Sequence, residues 1–248
     1  MTIRTRGEQD AMLAVGRLVG EALAAMAAAV RPGITTRELD GVAADLLRSH
    51  GARSAPQAVY DFPGFTCISV NDEIVHGVPG PRRIAEGDLV KLDVTAELDG
   101  FMADAAITVE VEPVAPAHRA LREAAERAFE RALSAVRVGG RVAEVGRLID
   151  AEVRARGFSV IREVAGHGIG RTIHEPPDVL NYFNPHQKDR FEEGQVVAVE
   201  PIIAMSATRV VEGADGWTLR TRNGAFAAHY EHTVLVTADG PQLLTAVQ

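Results

Sequence analysis

The 248-residue chain carries 26 basic and 34 acidic side chains, a formal net charge of −8, and 46% hydrophobic residues. A chain of this length buries a full core without cross-links, and its acidic balance excludes a generic electrostatic grip on nucleic acid. One cysteine, Cys67, excludes an internal disulfide and a cysteine-rich zinc site.

In chain order, Met12, Val15, Leu18, Val19 and Leu23 fall at helical spacing, and Arg31-Pro32-Gly33 supplies a stop. The apolar run 22–30 is too short to cross a bilayer, and Glu8, Asp10 and Glu21 before it are unlike a secretion leader, so no membrane association is expected. Thr35 with Glu38 is a capping-box signature for a helix carrying Leu39, Val42, Ala43, Leu46 and Leu47 on one face, closed at Gly51. Strands are predicted at Cys67–Val70, Leu89–Leu98 and 102–111, the last two joined by a hairpin turn at Asp99-Gly100. Helices follow at 116–136 and 142–156, then a glycine- and histidine-rich loop, then strands at 195–203 and 233–236.

The second half repeats the first. Val30-Arg31-Pro32-Gly33 aligns with Val136-Arg137-Val138-Gly139, and at the same offset Glu38 meets Glu144, Leu39 meets Val145 and Gly51 meets Gly157. At nearly the same offset Asp93 falls on Glu200, and, allowing an insertion, Asp104 falls on Glu231. The expectation is one domain, 1–248, built from related halves at about 1–112 and 113–248, with an acidic pair from each half at their interface.

The chemistry concentrates in these acidic positions. A two-residue turn at Asp99-Gly100 pairs Leu98 with Phe101 and sets Asp93 opposite Ala106. Asp104 is then the diagonal neighbour of Asp93 on one face. Two carboxylates held together among buried valines and leucines repel unless a cation sits between them. Glu200 and Glu231 likewise lie in or beside apolar strands, where an unpaired charge is costly. The Gly166-His167-Gly168-Ile169-Gly170 run lacks the Lys-Ser/Thr of a phosphate loop. Pro176-Pro177 after His174-Glu175 forbids a zinc-binding H-E-x-x-H helix. Four carboxylates and at least one imidazole, with no thiolate, suit two divalent ions such as Mn, Fe or Co, with Zn less exclusive.

Taken together, these stretches resemble the type I methionine aminopeptidases. The resemblance rests on Cys67-Ile68-Ser69-Val70-Asn71 with His76-Gly77-Val78-Pro79, Asp93-Val94-Thr95, Asp99-Gly100-Phe101 and Asp104. It continues through Gly166-His167-Gly168, His174-Glu175-Pro176-Pro177, Glu200-Pro201, Asp215-Gly216-Trp217 and Tyr230-Glu231-His232-Thr233. It implies an α+β, pseudo-two-fold "pita-bread" fold, a curved antiparallel sheet covered by helices. It implies removal of the initiator methionine from new proteins, with a small second residue preferred. Asp93, Asp104, His167, Glu200 and Glu231 would be the metal ligands, Asp104 and Glu231 bridging two divalent ions (Co, Mn, Fe or Zn). Glu200 would serve as general base, His174 would stabilise the oxyanion, and His76 would contact the scissile amide. Phe62, Cys67, Ile173 and Trp217 would form the methionine pocket. The resemblance further implies a cytoplasmic monomer acting on N-terminal Met peptides and nascent chains, with transient ribosome contact and no specific nucleic acid or membrane partner.

The chain departs from the family pattern at Val59-Tyr60-Asp61-Phe62, where a Tyr and a His-Gly pair are usual, at Ile173, and at Ala105-Ala106. Proline-specific relatives share the metal set and the His-Glu-Pro-Pro run but usually carry a further N-terminal domain. Metal-free members of the fold serve as peptide-binding scaffolds, a reading opposed by the intact ligand set.

Overall fold

Two capping boxes open the first helices in the computed structural model, which describes residues 1–246. The Glu8 N–H donates to Thr5 at the start of α1 (Arg6–Ala29). At α2 (Thr36–Ser49) the Glu38 N–H donates to Thr35 at 3.1 Å, and the Thr35 N–H donates back to the Glu38 carboxylate at 2.8 Å. The first half continues through β1 (Arg53–Ser54), α3 (Ala55–Tyr60), β2 (Cys67–Val70), β3 (Glu73–Val75), β4 (Leu89–Leu98) and β5 (Phe101–Glu110). The second half runs α4 (Pro116–Leu133), α5 (Val142–Ala155), β6 (Ser159–Val160), β7 (Gly166–Gly168), β8 (Glu175–Val179), β9 (Val196–Val199) and β10 (Ile202–Ala204). It ends with β11 (Val210–Glu212), β12 (Leu219–Thr221), β13 (Ala227–His229), β14 (Glu231–Thr237) and β15 (Gly240–Leu243). Positions 247–248 of the expected second half lie outside the described residues.

The principal sheet, nine antiparallel strands among the described residues, is ordered β1-β4-β5-β14-β9-β7-β8, with β2 beside β4 and β15 beside β14. Strand alternation decides which face each residue takes. On β4, Val90, Leu92, Val94 and Ala96 pack into the core with α1, which leaves Lys91, Asp93 and Thr95 on the opposite face. On β9 and β14, Val197, Val199, Val234 and Val236 pack with α4 and α5, turning Ala198, Glu231 and Thr233 the other way. Helix α1 is long and apolar enough by composition to cross a membrane. Its Met12, Val15, Val19, Ala22 and Met26 are instead fully buried in this core.

The hairpin has the expected register, with Leu98 opposite Phe101 and Asp93 opposite Ala106. Asp99 (φ 51°) and Gly100 (φ 79°) both take the left-handed conformation that a two-residue hairpin turn requires.

Two expectations need correction. The predicted strand 195–203 is broken in two: β9 belongs to the principal sheet, while β10 pairs with β13 and β6 in another. Pro201 has no N–H to continue the ladder, and the break falls immediately after Glu200. The predicted glycine- and histidine-rich loop is in fact strand β7, paired with β8 and β9. Gly166 and Gly168 admit close approach of neighbouring backbone. A Cβ on Gly166 would meet the Ala198 carbonyl oxygen at 2.3 Å, and one on Gly168 that of Pro176 at 2.3 Å.

Candidate metal centre

Register brings the acidic positions together. Asp93 on β4 stands opposite Ala106 on β5, and Ala106 opposite Glu231 on β14, so the two carboxylates flank one alanine on the same face. Asp104 stands opposite Thr95, one diagonal step from Asp93. Threonine hydroxyls tie β5 to β14 and to β13. Thr233 Oγ1 accepts from the Asp104 N–H at 2.9 Å and donates to the Asp104 carbonyl at 2.7 Å. Thr108 does the same for His229, at 2.9 and 2.8 Å. His232, opposite Val199, brings the end of β9 and hence Glu200 alongside. The fully buried Asn181 donates to the Glu200 carbonyl at 3.0 Å.

Asp93, Asp104, His167, Glu200, His229 and Glu231 line one cavity of about 310 Å³. Ligand atoms of Asp104, His167 and Glu231 all lie within 4.8 Å of one another, as do those of Glu200, His229 and Glu231. Asp93, one diagonal step from Asp104 on the same face, lines the same cavity. Burial raises all four carboxyls. Asp93, Glu200 and Glu231 stand well above the usual range, each pushed further by its acidic neighbours, and Asp104 is raised to about 6. Asp104 Oδ1, Glu231 Oε1 and both ring nitrogens of His229 are buried without a hydrogen-bond partner among the described residues. Orphaned acceptors and crowded like charges are what a divalent cation would relieve, and the oxygen-rich donor set with imidazole nitrogen fits one.

His167 is oriented for that task. Its Nδ1 meets the Gly168 carbonyl at 2.9 Å, which leaves Nε2, 3.6 Å from Glu200 Oε1, as the free electron pair. Burial lowers its pKa to about 4, so the ring is neutral at physiological pH.

The remaining predicted residues surround the same cavity. His76 takes a left-handed φ of 57° beside Gly77, whose missing Cβ would meet the Ile68 carbonyl oxygen at 2.2 Å. Desolvation lowers the pKa of His76, with a contribution from His174. The His174 ring stands 4.2 Å from that of His167, edge to face, and desolvation lowers its pKa too. Phe62 and Trp217 meet edge to face at 5.2 Å, with Cys67 and Ile173 buried nearby in the cavity wall. The Asp215 carboxylate accepts from the N–H groups of Trp217 and Thr218, which fixes the turn that presents the indole. Burial, and then Asp93, push the Cys67 thiol well up.

His229 carries no role in the sequence reading, yet its Nε2 lies 3.4 Å from Glu231 and 3.7 Å from Glu200. The signal was its two-residue spacing from Glu231, but the chain passes from β13 to β14 between them, so strand alternation alone does not relate the two. Lys91 also bears on the site. Its ammonium, 1% exposed, donates to the carbonyls of Asn71 and Ala227 at 2.8 and 3.1 Å, and so ties the segment before His76 to the strand of His229.

The profile of metallopeptidase family M24 matches residues 10–238. The chain is 43% identical to a methionine aminopeptidase of Staphylococcus epidermidis, over 100% of this chain and 99% of that protein. Methionine aminopeptidase 2 of Bacillus subtilis is 40% identical, with 99% of each chain aligned. The crystal structure of methionine aminopeptidase from Thermotoga maritima superposes at a TM-score of 0.96 with 33% identity, covering all of both chains. A prolidase from Pyrococcus furiosus shares the fold alone, at a TM-score of 0.80 and 23% identity, this chain spanning 66% of it. The architecture is thus the expected α+β pita-bread fold, a curved antiparallel sheet covered by helices. By sequence over its whole length and by fold, the chain belongs to the methionine aminopeptidases of metallopeptidase family M24.

Proposed function

We propose that this chain removes the initiator methionine from new proteins, using two divalent ions that Asp93, Asp104, His167, Glu200 and Glu231 would hold. The observation that carries the reading is the convergence of four carboxylates and an imidazole, drawn from both halves of the chain, on a cavity with an apolar wall. Divalent ions in such a site supply Lewis-acid polarisation of a peptide carbonyl and activation of water at neutral pH. Mn, Fe, Co and Zn all suit the donor set.

Each of the chain's own groups then has a task. Glu200, ionised once bound cations displace the proton that burial favours, would take up the proton released as water attacks. His174 donates to the oxygen on which negative charge develops. His76, held at the cavity mouth by its left-handed backbone, contacts the scissile amide. Phe62, Cys67, Ile173 and Trp217 take the methionine side chain, whose thioether packs well against aromatic edges. We read the chain as one domain of two related halves, about 1–112 and 113–248, and as a cytoplasmic monomer that meets nascent chains in transient contact with the ribosome.

The test is hydrolysis of Met-Ala-Ser against Ala-Pro-Ala by chelated protein re-supplied with Mn or Co. Release of free methionine alone supports the reading. Cleavage of the proline peptide instead moves the chain to proline-specific chemistry, and turnover of neither, with ions bound, leaves a peptide-binding scaffold.

A further inference from the structure

Tyr60 stands where the chain departs from its family pattern, and it makes a contact the reaction scheme above does not use. Its hydroxyl lies 2.7 Å from Nδ1 of His174, the two rings tilted at 38° with centroids 5.8 Å apart. The contact spans 114 residues of sequence and depends on α3. Ser54 caps that helix by accepting from the Gln57 N–H and donates to the Phe65 carbonyl, which anchors the helix start to the following loop. Asp61, in a left-handed conformation at φ 58°, ends the helix immediately after Tyr60 and so sets where the ring points. Tyr60 remains 43% exposed, so packing alone is a poor account of an aromatic ring at this position.

We propose that Tyr60 is a positioning residue for His174, its hydroxyl donating to Nδ1 and thereby leaving the imidazole proton on Nε2. The proposal rests on the part given to His174 above. A neutral imidazole offers one donor and one acceptor nitrogen, and the hydrogen bond at one decides the state of the other. Tyr60 Oη has no other partner among the described residues, and neither has either ring nitrogen of His174. An imidazole nitrogen is a better acceptor than a phenol oxygen, and a phenol O–H a better donor than an imidazole N–H, so the proton of this bond belongs to Tyr60. Desolvation raises the tyrosine pKa further, which keeps the donor in place. An Nε2–H can stabilise a developing oxyanion; an Nε2 electron pair repels it. His167 is set by the same logic in the opposite sense. Its Nδ1 faces a carbonyl, which takes the proton there and frees Nε2 as a ligand. Two neighbouring histidines are thus held in complementary states, one by a backbone carbonyl and one by Tyr60.

The test is Tyr60→Phe, which keeps the ring and removes the hydroxyl. Nitrogen-15 NMR of histidine-labelled, metal-free protein should show His174 protonated at Nε2 in the wild type and a mixture of tautomers in the variant. In the metallated enzyme the variant should lose about five- to tenfold in kcat on Met-Ala-Ser with KM within about twofold, the size expected for one hydrogen bond. It should add nothing further in a His174→Ala background. A wild-type His174 protonated at Nδ1, or a tautomer unchanged by Tyr60→Phe, overturns the proposal whatever the activity does. So does an unchanged kcat, or an equal loss in the His174→Ala background. Because the NMR measurement needs no turnover, a wild-type protein that releases no methionine defeats the functional reading while the tautomer result still decides this one.

Discussion

His229 Nε2 lies 3.4 Å from Oε2 of Glu231, and burial at 2% exposure lowers the ring's pKa to about 3. A neutral ring between Glu231 and Glu200 carries one N–H and one electron pair, and it can steady either carboxylate or bind a cation itself. Replacing it with alanine should weaken Mn binding by about 10- to 100-fold, the range typical of groups that orient metal ligands. Titration calorimetry on chelated protein measures this, and an unchanged affinity would reduce His229 to packing.

Asp104 illustrates a site that works against its own metal-free fold. Its carboxyl is raised from 3.8 to about 6, so ionising it at neutral pH costs the metal-free protein on the order of 3 kcal/mol. Asp104→Asn removes that cost with little change of volume. The chelated variant should melt higher than chelated wild type, while losing most of its Mn affinity and all methionine release. Calorimetric melting with and without chelator checks both halves of the statement.

The same shifts set a pH dependence. A carboxyl raised in the folded state favours the fold below its unfolded pKa, and that contribution is lost as pH rises through the folded value. Metal-free stability from this cluster should therefore fall between about pH 4 and the region around and above pH 6. Metal binding must displace those protons, so Mn affinity should rise at least tenfold from pH 5.5 to 7.5. His167, lowered to about 4, is already deprotonated across that window and adds little to the slope. A flat affinity profile would contradict the protonated cluster.

Trp217 and Phe62 form the edge-to-face pair in the cavity wall. Trp217→Ala should raise KM for Met-Ala-Ser by about tenfold or more, with a smaller change in kcat, because it removes apolar contact made alike to substrate and transition state. A fall in kcat alone would place the indole nearer the reacting amide than this arrangement does.

Much of this was legible in the sequence because local rules agreed with the global fold. The Thr35–Glu38 capping box, the Asp99-Gly100 turn and the period-two pattern around Asp93 specify a helix, a hairpin and a register, and the structure has all three. Glycines flank His167 in the sequence, but what they do is visible only in the fold. The glycines admit neighbouring backbone at Ala198 and Pro176, a tertiary fact with no local trace. The break at Pro201 was readable in principle, yet the apolar run through residue 203 masked it. His229, Lys91 and Tyr60 were not legible as site residues. Each acts on a group 20 or more positions away in sequence, at Glu200, Asn71 or His174, or on a neighbour across a strand boundary.

On the proposed function, methionine release requires divalent ions bound at this carboxylate cluster. The most direct measurement follows free methionine from Met-Ala-Ser while chelated protein is titrated with Mn, wild type beside Asp104→Ala. The account predicts no release without metal, a rise that saturates at about two equivalents in the two-ion site, and no recovery in the variant. Undiminished release by the chelated wild type, or full activity of Asp104→Ala, would contradict it.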